Sequence, residues 1–417
     1  MGLVQSHEGS PDQAWEAARP LLEAQPDQVV AAEALAHLLG ADAFDRTRGL
    51  EVARAIFRAH PEHRTLVSRL ADAFTAIHDI RLLNAEPPRD PLFTEIATHL
   101  RALLERATDP KERARGLGGL ATAARILGRT WDTVAEQSAL DVIALEPQRW
   151  EHHYNLGLLY KTRGRFAEGQ AAYQRAYDLG GLQDESVHWN LGICATGARD
   201  AATALHVWKD LFGQNVTLGR FGLPEGSYAP TKVRLAERPI AERAPGRQPD
   251  DPGQEETIWI ERLSPCHGIV RSALHHGQIG VDFGDLVLID GAAITHETQG
   301  TDQVVVFPHL ATLERPGYQI FRFAATQGRR RQVAELSEQL PADAVLYVLT
   351  EVDEHAVTGK LCAPPATDAA DLLAALDRAV AGAPDVHLYV PDLVARAGDQ
   401  DRADRERHGM ARLVAEP

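Results

Sequence analysis

The chain has few cysteines and no long apolar run. Its three cysteines, Cys194, Cys266 and Cys362, are too far apart in the 417 residues to form a disulfide framework. The first 30 residues contain no apolar signal core. No segment reaches the roughly 18 consecutive apolar residues that cross a bilayer. These absences argue against a disulfide-rich secreted protein and an integral membrane protein, so we expect a cytoplasmic protein with no membrane partner.

Positive charge is also scarce. Asp and Glu number 59 against 43 Lys and Arg, which gives a formal net charge of −16. This balance opposes non-specific attraction to nucleic acid, and we expect no nucleic-acid partner. The basic run that includes Arg329, Arg330 and Arg331 is better interpreted as a solvated helix start. Arg far outnumbers Lys, and Ala is abundant, which suggests a bacterial, GC-rich genome.

Motifs that carry known chemistry are missing as well. The sequence has no paired Cys-x-x-Cys and no His-Glu-x-x-His. Its Gly-rich stretch at Gly116, Gly118 and Gly119 follows no strand pattern, as a dinucleotide site would require. We therefore predict no catalytic residues, no metal site and no cofactor, and enzymatic activity is not favoured.

One segment, from Ser264 to His309, is nevertheless rich in groups that can bind metals. It holds five of the 18 histidines of the chain. Zinc needs four N, S or O ligands in a tetrahedron. The side chains that could converge on one ion are Cys266, His267, His275 or His276, and His296.

Cys266 could instead act as a thiolate nucleophile. The candidate bases and orienting carboxylates are His267 or His276 and Asp282 or Asp285. However, the segment matches no hydrolase or protease signature. Pro265 and Gly268 are typical of a turn between two strands, with Cys266 packed inside. We favour the turn, and an enzyme or metal-binding protein with chemistry around Cys266 and His267 is the alternative function.

What the sequence does contain is a repeat. Residues 150–183 and 185–218 have small, apolar and aromatic residues at the spacings that two packed antiparallel helices need. The first copy carries Leu156, Gly157, Tyr160, Gly169, Tyr173 and Ala176; the second carries Trp189, Leu191, Gly192, Ala204, Trp208 and Leu211. Self-similarity at this period predicts a helical solenoid, whose stacked units bury one continuous core.

These motifs resemble the tetratricopeptide repeat. The first copy follows its pattern closely, with His153 in place of the leading Trp and Gly169 in place of the first Ala. The second is degenerate, with Ala195 in place of the Tyr. Spaced prolines extend the register towards the N-terminus, to roughly five units and a half-unit. The prolines that we place at the ends of second helices are Pro26, Pro61, Pro110 and Pro147, with an insertion around residues 84–91.

The resemblance implies a protein or peptide partner, bound along the concave face of the first helices. The positions that it places in this groove are Tyr154, Asn155, Leu158, Lys161, Trp189, Asn190 and Ile193. Family members that clamp a terminal carboxylate use additional basic residues, whereas here Tyr154 and Trp189 stand where charge would be needed. We therefore expect an apolar or internal peptide segment, bound by an adaptor or scaffold. The two Asn residues could equally serve helix packing.

The helical rhythm stops after Phe212. We divide the chain into a solenoid over 1–217, a Pro-rich linker over 218–256, an α+β domain over 257–398 and a charged tail over 399–417. Strand patterns followed by helix patterns at 331–340 and 368–380 predict a mostly antiparallel sheet with helices on one side. Asp290 and Gly291 form the strongest hairpin signal in the chain.

Overall fold

The computed structural model describes residues 46–72, 90–181, 184–213, 215–243, 251–299, 302–326, 330–352 and 356–415, with the single residues 20 and 24. It forms two compact units. The first comprises Met1–Glu225, Arg238–Pro252 and Asp290–His296, and the second comprises Gly226–Glu237, Gly253–Ile289 and Glu297–Pro417. The predicted half-unit ending at Pro26, most of the insertion at 84–91, and Arg329 lie outside the described residues.

The first unit is helical. Its described helices are α1 (Arg46–Ala59), α2 (Arg64–Asp72), α3 (Pro91–Glu105), α4 (Pro110–Ile126), α5 (Asp132–Leu145), α6 (Trp150–Thr162), α7 (Phe166–Asp178), α8 (Glu185–Gly197) and α9 (Ala201–Phe212). Leu, Ile, Phe and Ala side chains from α1 to α4 form its largest buried cluster. A second cluster joins α4, α5, α6 and α7. The two clusters both draw side chains from α4, so buried apolar packing passes from one helix pair to the next, as in a solenoid.

The two repeats found in the sequence are tetratricopeptide-like helix pairs, α6 with α7 and α8 with α9. A Cβ atom at Gly157 would lie 2.8 Å from the Tyr173 ring, and one at Gly192 would lie 2.5 Å from the Trp208 ring. Each glycine thus leaves the space that the large ring of its partner helix fills. The predicted helix pairs are confirmed. The packing of each glycine against a ring explains why the two glycines lie 35 residues apart, at the same place in successive repeats.

The role that we predicted for Pro110 is wrong. It does not end a helix but is the first residue of α4, after the N-cap Asp109, whose carboxylate accepts a hydrogen bond from the Glu112 backbone N–H at 2.8 Å. The first turn of a helix tolerates proline because its N–H would have no partner within the helix. Pro91 occupies the same position in α3.

The second unit is rich in strands and contains two sheets. The strands among the described residues, of which β1 and β2 belong to the first unit, are β1 (Thr217–Leu218), β2 (Pro224–Glu225), β3 (Thr231–Ala236), β4 (Glu255–Arg262), β5 (His267–Val270), β6 (Leu286–Ile289), β7 (Thr295–Gln299), β8 (Asp302–Glu314), β9 (Gln319–Thr326), β10 (Val345–Glu351), β11 (Ala356–Ala363) and β12 (His387–Tyr389). One sheet has the order β3-β4-β5-β6-β8-β7, and β3 also pairs with β8, so five of its strands close on themselves. Apolar side chains such as Val233, Ile260 and Val287 fill this ring.

The other sheet has the order β10-β11-β9-β12 and is antiparallel throughout. Its apolar core includes side chains of α10 (Arg330–Glu335), α11 (Ala369–Ala381) and α12 (Pro391–Arg396), and α13 (Gln400–Ala415) packs against α12. The last of them lies in the predicted charged tail.

The prediction of a helical repeat region and a separate β-rich region is confirmed, but a mostly antiparallel sheet is not. β3 and β8 run parallel, so the six-stranded sheet is mixed. β3 itself lies within the predicted linker, where alternating burial of Val233 and Leu235 stabilises a strand. The boundaries proposed at 217, 256 and 398 remain predictions.

The predicted hairpin at Asp290 and Gly291 is wrong. β6 pairs with β8 rather than with β7, and Gly291 has no positive φ. The segment between β6 and β7 instead belongs to the helical unit.

Candidate functional site

The predicted groove residues gather around one cleft in the helical unit. Its volume is about 450 Å³. The predicted residues that line it are Tyr154, Leu158, Lys161, Trp189, Asn190 and Ile193, joined by Glu185, Ser186, Asp290, Gly291 and Ala292. Asn155 is half-buried and does not line the cleft. Spacing within α6 and α8 brings the six together, because residues three or four apart share one helix face.

Lys161, in the last turn of α6, is a buried cation. It is only 1% exposed. Its ammonium donates to Asp290 Oδ1 at 2.8 Å and to Asn190 Oδ1 at 2.7 Å. The Asp290 residue is itself 2% exposed, so this is a fully buried ion pair. The ammonium is thus already engaged within the chain.

Asn190 is held in one orientation by its neighbours. Its amide nitrogen donates to the Ser186 carbonyl oxygen at 2.8 Å and to the Tyr154 hydroxyl at 3.3 Å. Its amide oxygen is thereby left to accept from Lys161. The residue therefore satisfies a buried cation rather than presenting a free amide to a ligand backbone.

The segment after Asp290 lies against the aromatic wall of the cleft. A Cβ atom at Gly291 would stand 3.3 Å from Trp189 Cε3 and 3.5 Å from Ile193 Cδ1. These distances leave little room for a side chain at this position. Ala292 is exposed beside it and also lines the cleft.

Trp189 forms this wall and is fixed from behind. Its ring packs edge-on against Trp208 with centroids 5.5 Å apart, and against Phe212 at 5.4 Å. Its indole N–H donates to Glu185 Oε1 at 3.1 Å on the exposed side. The ring is half-buried, so part of it remains available to a ligand. Rigid, partly exposed aromatic rings are common anchors in protein interfaces.

The layer beneath the cleft is polar and closed. Burial, with a smaller contribution from the nearby Arg163, lowers the pKa of Arg125 to about 10. Burial also raises the pKa of the Tyr173 hydroxyl well above its usual value. Asp290 acts on Arg125 in the opposite direction, since a neighbouring carboxylate favours the charged guanidinium. The Asp290 carboxylate thus offsets positive charge from α4 as well as from α6.

The magnitude of the Lys161–Asp290 interaction follows from its burial. Two ions removed from water gain little net stability from their mutual attraction. Removing one of them is costly, by about 3–5 kcal/mol, because the other charge stays buried without compensation. The pair therefore fixes where residue 290 can lie, whatever its net contribution to the free energy of unfolding.

The residues around Cys266 form a buried turn between β4 and β5. Cys266, His267 and Ser264 are all fully buried. Ser264 Oγ lies 2.6 Å from His267 Nδ1 and accepts from the Cys266 and His267 backbone N–H groups at 3.1 Å. The Arg262 guanidinium donates to the carbonyl oxygens of Ser264 and Pro265, at 3.1 and 2.7 Å. These contacts are those of a structural turn.

The two carboxylates considered as orienting groups have other contacts. Asp282 forms an ion pair with Lys360 and accepts from the Leu274 and Phe283 backbone N–H groups. Asp285 accepts from the Asp282 backbone N–H at 3.0 Å. Burial raises the pKa of the Asp285 carboxyl to about 6.

The structure does not bring the histidines together around a metal. His275 and His276 are exposed, with backbone N–H groups that donate to the Glu256 carboxylate. His296 is exposed as well. Within the described part of the chain, no group of three or more His, Cys, Asp or Glu side chains is placed to hold a metal ion. Nor, across those same residues, does any helix have the length and apolar character to cross a membrane.

Sequence reasoning missed the residues contributed by the segment 290–292. A signal was present, since Asp-Gly within an apolar stretch is unusual, but it also fits a hairpin. Lys161 and Asp290 are 129 residues apart, and no spacing rule connects them.

No family model and no curated protein matches this sequence. The chain is similar over part of its length to several solved structures at low identity. One is TTC0263, a thermophilic TPR protein of Thermus thermophilus, at 14% identity over 49% of this chain and 91% of that one, with a TM-score of 0.31. Another is YrrB, described as a TPR protein with an unusual peptide-binding site, at 12% identity, 47% and 92% coverage and a TM-score of 0.30. PilF of Pseudomonas aeruginosa has 17% identity, 51% and 90% coverage and a TM-score of 0.33. Each similarity extends over about half of this chain, and the helix-pair assignment rests on the glycine–ring contacts described above.

Proposed function

We propose that this protein is an interaction adaptor, which holds a peptide segment of a partner protein in the cleft between α6 and α8. The observation that carries the proposal is the cleft itself: it is concave, it lies on the first helices of two successive repeats, and half-buried Tyr154, Leu158 and Trp189 line it. Apolar walls with a few fixed polar groups are typical of ligand sites.

Leu158 gives the sharpest test, because its apolar side chain is half-buried and lines the cleft. Leu158→Arg would fill the cleft with a long cation while leaving the buried Lys161 pair intact. A matched control is Leu140→Arg on α5, because Leu140 is 43% exposed and lies outside the cleft lining.

The experiment is selection from a displayed library of random peptides on the purified full chain. We expect peptides that bind the wild type and the Leu140→Arg protein, with binding weakened at least tenfold by Leu158→Arg. Asn155→Ala should have no effect, because Asn155 does not line the cleft. The proposal is wrong if no peptide is enriched, or if every enriched peptide binds the Leu158→Arg protein with unchanged affinity.

We also propose that the strand-rich region is mostly antiparallel, with its helices on one side, and that the protein is bacterial and cytoplasmic. They are supported by strand patterning and composition. A partner of the cleft would then be a protein of the same compartment.

A further inference from the structure

We propose that the cleft selects peptides in which an acidic side chain is followed by a small residue, and that the chain's own segment Asp290–Gly291–Ala292 occupies this subsite until such a peptide displaces it. The inference deepens the proposed function and rests on it. It names both the class of peptide and the way in which access to the cleft is limited.

The carboxylate-binding subsite consists of Lys161, with Asn190 and Tyr154 around it. The Lys161 ammonium, 1% exposed, meets the Asp290 carboxylate at 2.8 Å and the Asn190 amide oxygen at 2.7 Å. Asn190 is in turn fixed by Ser186 and Tyr154. Lysine, asparagine and tyrosine all come from the two helices that line the cleft. The subsite is thus part of the helical repeats, and the carboxylate is what the inserted segment brings to it.

Trp189 limits the size of the residue that follows the acidic side chain. A Cβ atom at residue 291 would lie only 3.3 Å from Trp189, closer than most side-chain contacts. An occupant with its acidic group on Lys161 must therefore pass Trp189 with glycine, or with alanine after a small shift. Ala292, the following residue, is exposed at the edge of the cleft.

The buried ammonium determines the free-energy cost of exchanging Asp290 for a ligand. A ligand without a carboxylate could displace Asp290 only by leaving the buried ammonium uncompensated, which lowers its affinity about a hundredfold or more. A ligand with a carboxylate replaces one ion pair by an equivalent one. The internal segment therefore acts as a filter: the affinity of every ligand is multiplied by the fraction of time that the subsite is free, and ligands that lack an acidic group are excluded.

The test uses the full-length protein and a synthetic peptide with the sequence of residues 288–296, acetylated and amidated, so that the Asp290 side chain is its one carboxylate. Its binding is measured by fluorescence anisotropy to the wild type, to Asp290→Ala and to the control Asp385→Ala, which changes an exposed turn. We expect Asp290→Ala to bind the peptide at least tenfold more tightly than the wild type and the control do. A peptide carrying D290N should bind at least tenfold more weakly.

Because Asp290→Ala removes a buried charge and destabilises the helical unit, the same measurements are made on Asp290→Asn, which retains a hydrogen-bond acceptor for Lys161. For either variant, the Asp-containing peptide should raise the melting temperature, and the D290N peptide should not. Equal binding of the two peptides, or equal binding by wild type and both variants, would overturn the inference. If library peptides still depend on Leu158 in that case, the proposed function stands; if no library peptide binds the cleft, the proposed function and this inference fail together.

Discussion

At the scale of single residues, the repeat depends on glycines that leave room for aromatic rings. Gly192→Ala would bring a methyl group within 2.5 Å of the buried Trp208 ring, which cannot move aside. We expect a loss of about 1–3 kcal/mol in the free energy of unfolding, as for other overpacked cores. Urea unfolding measures it. Gly118→Ala is the control, because its nearest neighbour is 3.9 Å away, and alanine there should stabilise α4 by about 0.5–1 kcal/mol. An equal response of the two variants would contradict the packing argument.

A second prediction at this scale concerns His309, which is buried in β8. Burial lowers the pKa of its imidazole to about 3, against an ordinary value of 6.5. Between these values the unfolded chain binds a proton that the folded chain does not, so this residue removes stability as pH falls from 6.5 towards 3. Asp285 acts in the opposite direction: its carboxyl pKa is raised to about 6 from 3.8, so it removes stability as pH rises through that window.

His309→Phe should therefore change the slope of stability against pH. Between pH 4 and 6 we expect the variant to gain about 1.4 kcal/mol per pH unit relative to the wild type as pH falls, because one buried imidazole no longer resists protonation. Urea unfolding across this range provides the measurement. His275→Phe, at an exposed position, should run parallel to the wild type. A parallel curve for His309→Phe as well would show that this imidazole is protonated normally in the fold.

Some residues of the cleft can be predicted from the sequence, and others cannot. Tyr154, Leu158 and Lys161 share a face because helical spacing is local, and the repeat register carries the same rule to Trp189 and Ile193. The burial of Lys161 was not predictable, since its partner Asp290 lies 129 residues away. The identity of this partner depends on tertiary structure, and no periodicity in the sequence indicates it.

At the scale of elements, some helix starts can be predicted from the sequence and others, such as the start of α4 at Pro110, cannot. Asp368 precedes the apolar pattern of α11, and its carboxylate accepts from the Ala370 and Asp371 backbone N–H groups at 2.9 and 3.1 Å. Asp368→Ala should cost about 1 kcal/mol of stability in thermal or urea unfolding, because two N–H groups of the first turn lose their acceptor. Asp385→Ala, in an exposed turn, should change stability by less than about 0.5 kcal/mol. Equal effects would mean that the cap contributes nothing.

Strand pairing was less readable than helix starts. The apolar runs at 286–289 and 304–307 indicate strands and coincide with β6 and part of β8, but the Asp290–Gly291 signal suggests that β6 turns back on the next strand. Hydrogen bonding places β8 between them instead. The short apolar alternation of β3 was masked by the prolines around it, and its pairing with both β4 and β8 follows from ring closure, a long-range property.

At the scale of the whole molecule, the helical unit is assembled from three separate stretches of the chain. The Lys161–Asp290 pair joins two of them. In a double-mutant cycle, Lys161→Met and Asp290→Ala should each cost about 3–5 kcal/mol, because each leaves a buried charge uncompensated, and the double variant should cost much less than their sum.

Lys232 and Glu297 give the control pair for this cycle. They form a partly exposed ion pair in the second unit, at 2.6 Å. Lys232→Met and Glu297→Ala should couple by no more than about 1 kcal/mol. All four single variants and both double variants are compared by urea unfolding. Coupling as small as this between Lys161 and Asp290 would show that the contact does not hold the stretches together.

The ring contact between Trp189 and Trp208 has a spectroscopic consequence. Two indoles held edge to face with centroids 5.5 Å apart couple their electronic transitions, and such coupling gives a paired signal of opposite sign in circular dichroism. Gly291 lies beside the first of these rings, so a change in what occupies this position alters the orientation or polarity of one chromophore of the pair. The protein thus carries an intrinsic optical reporter at the wall of its cleft, and occupancy could be followed without a label.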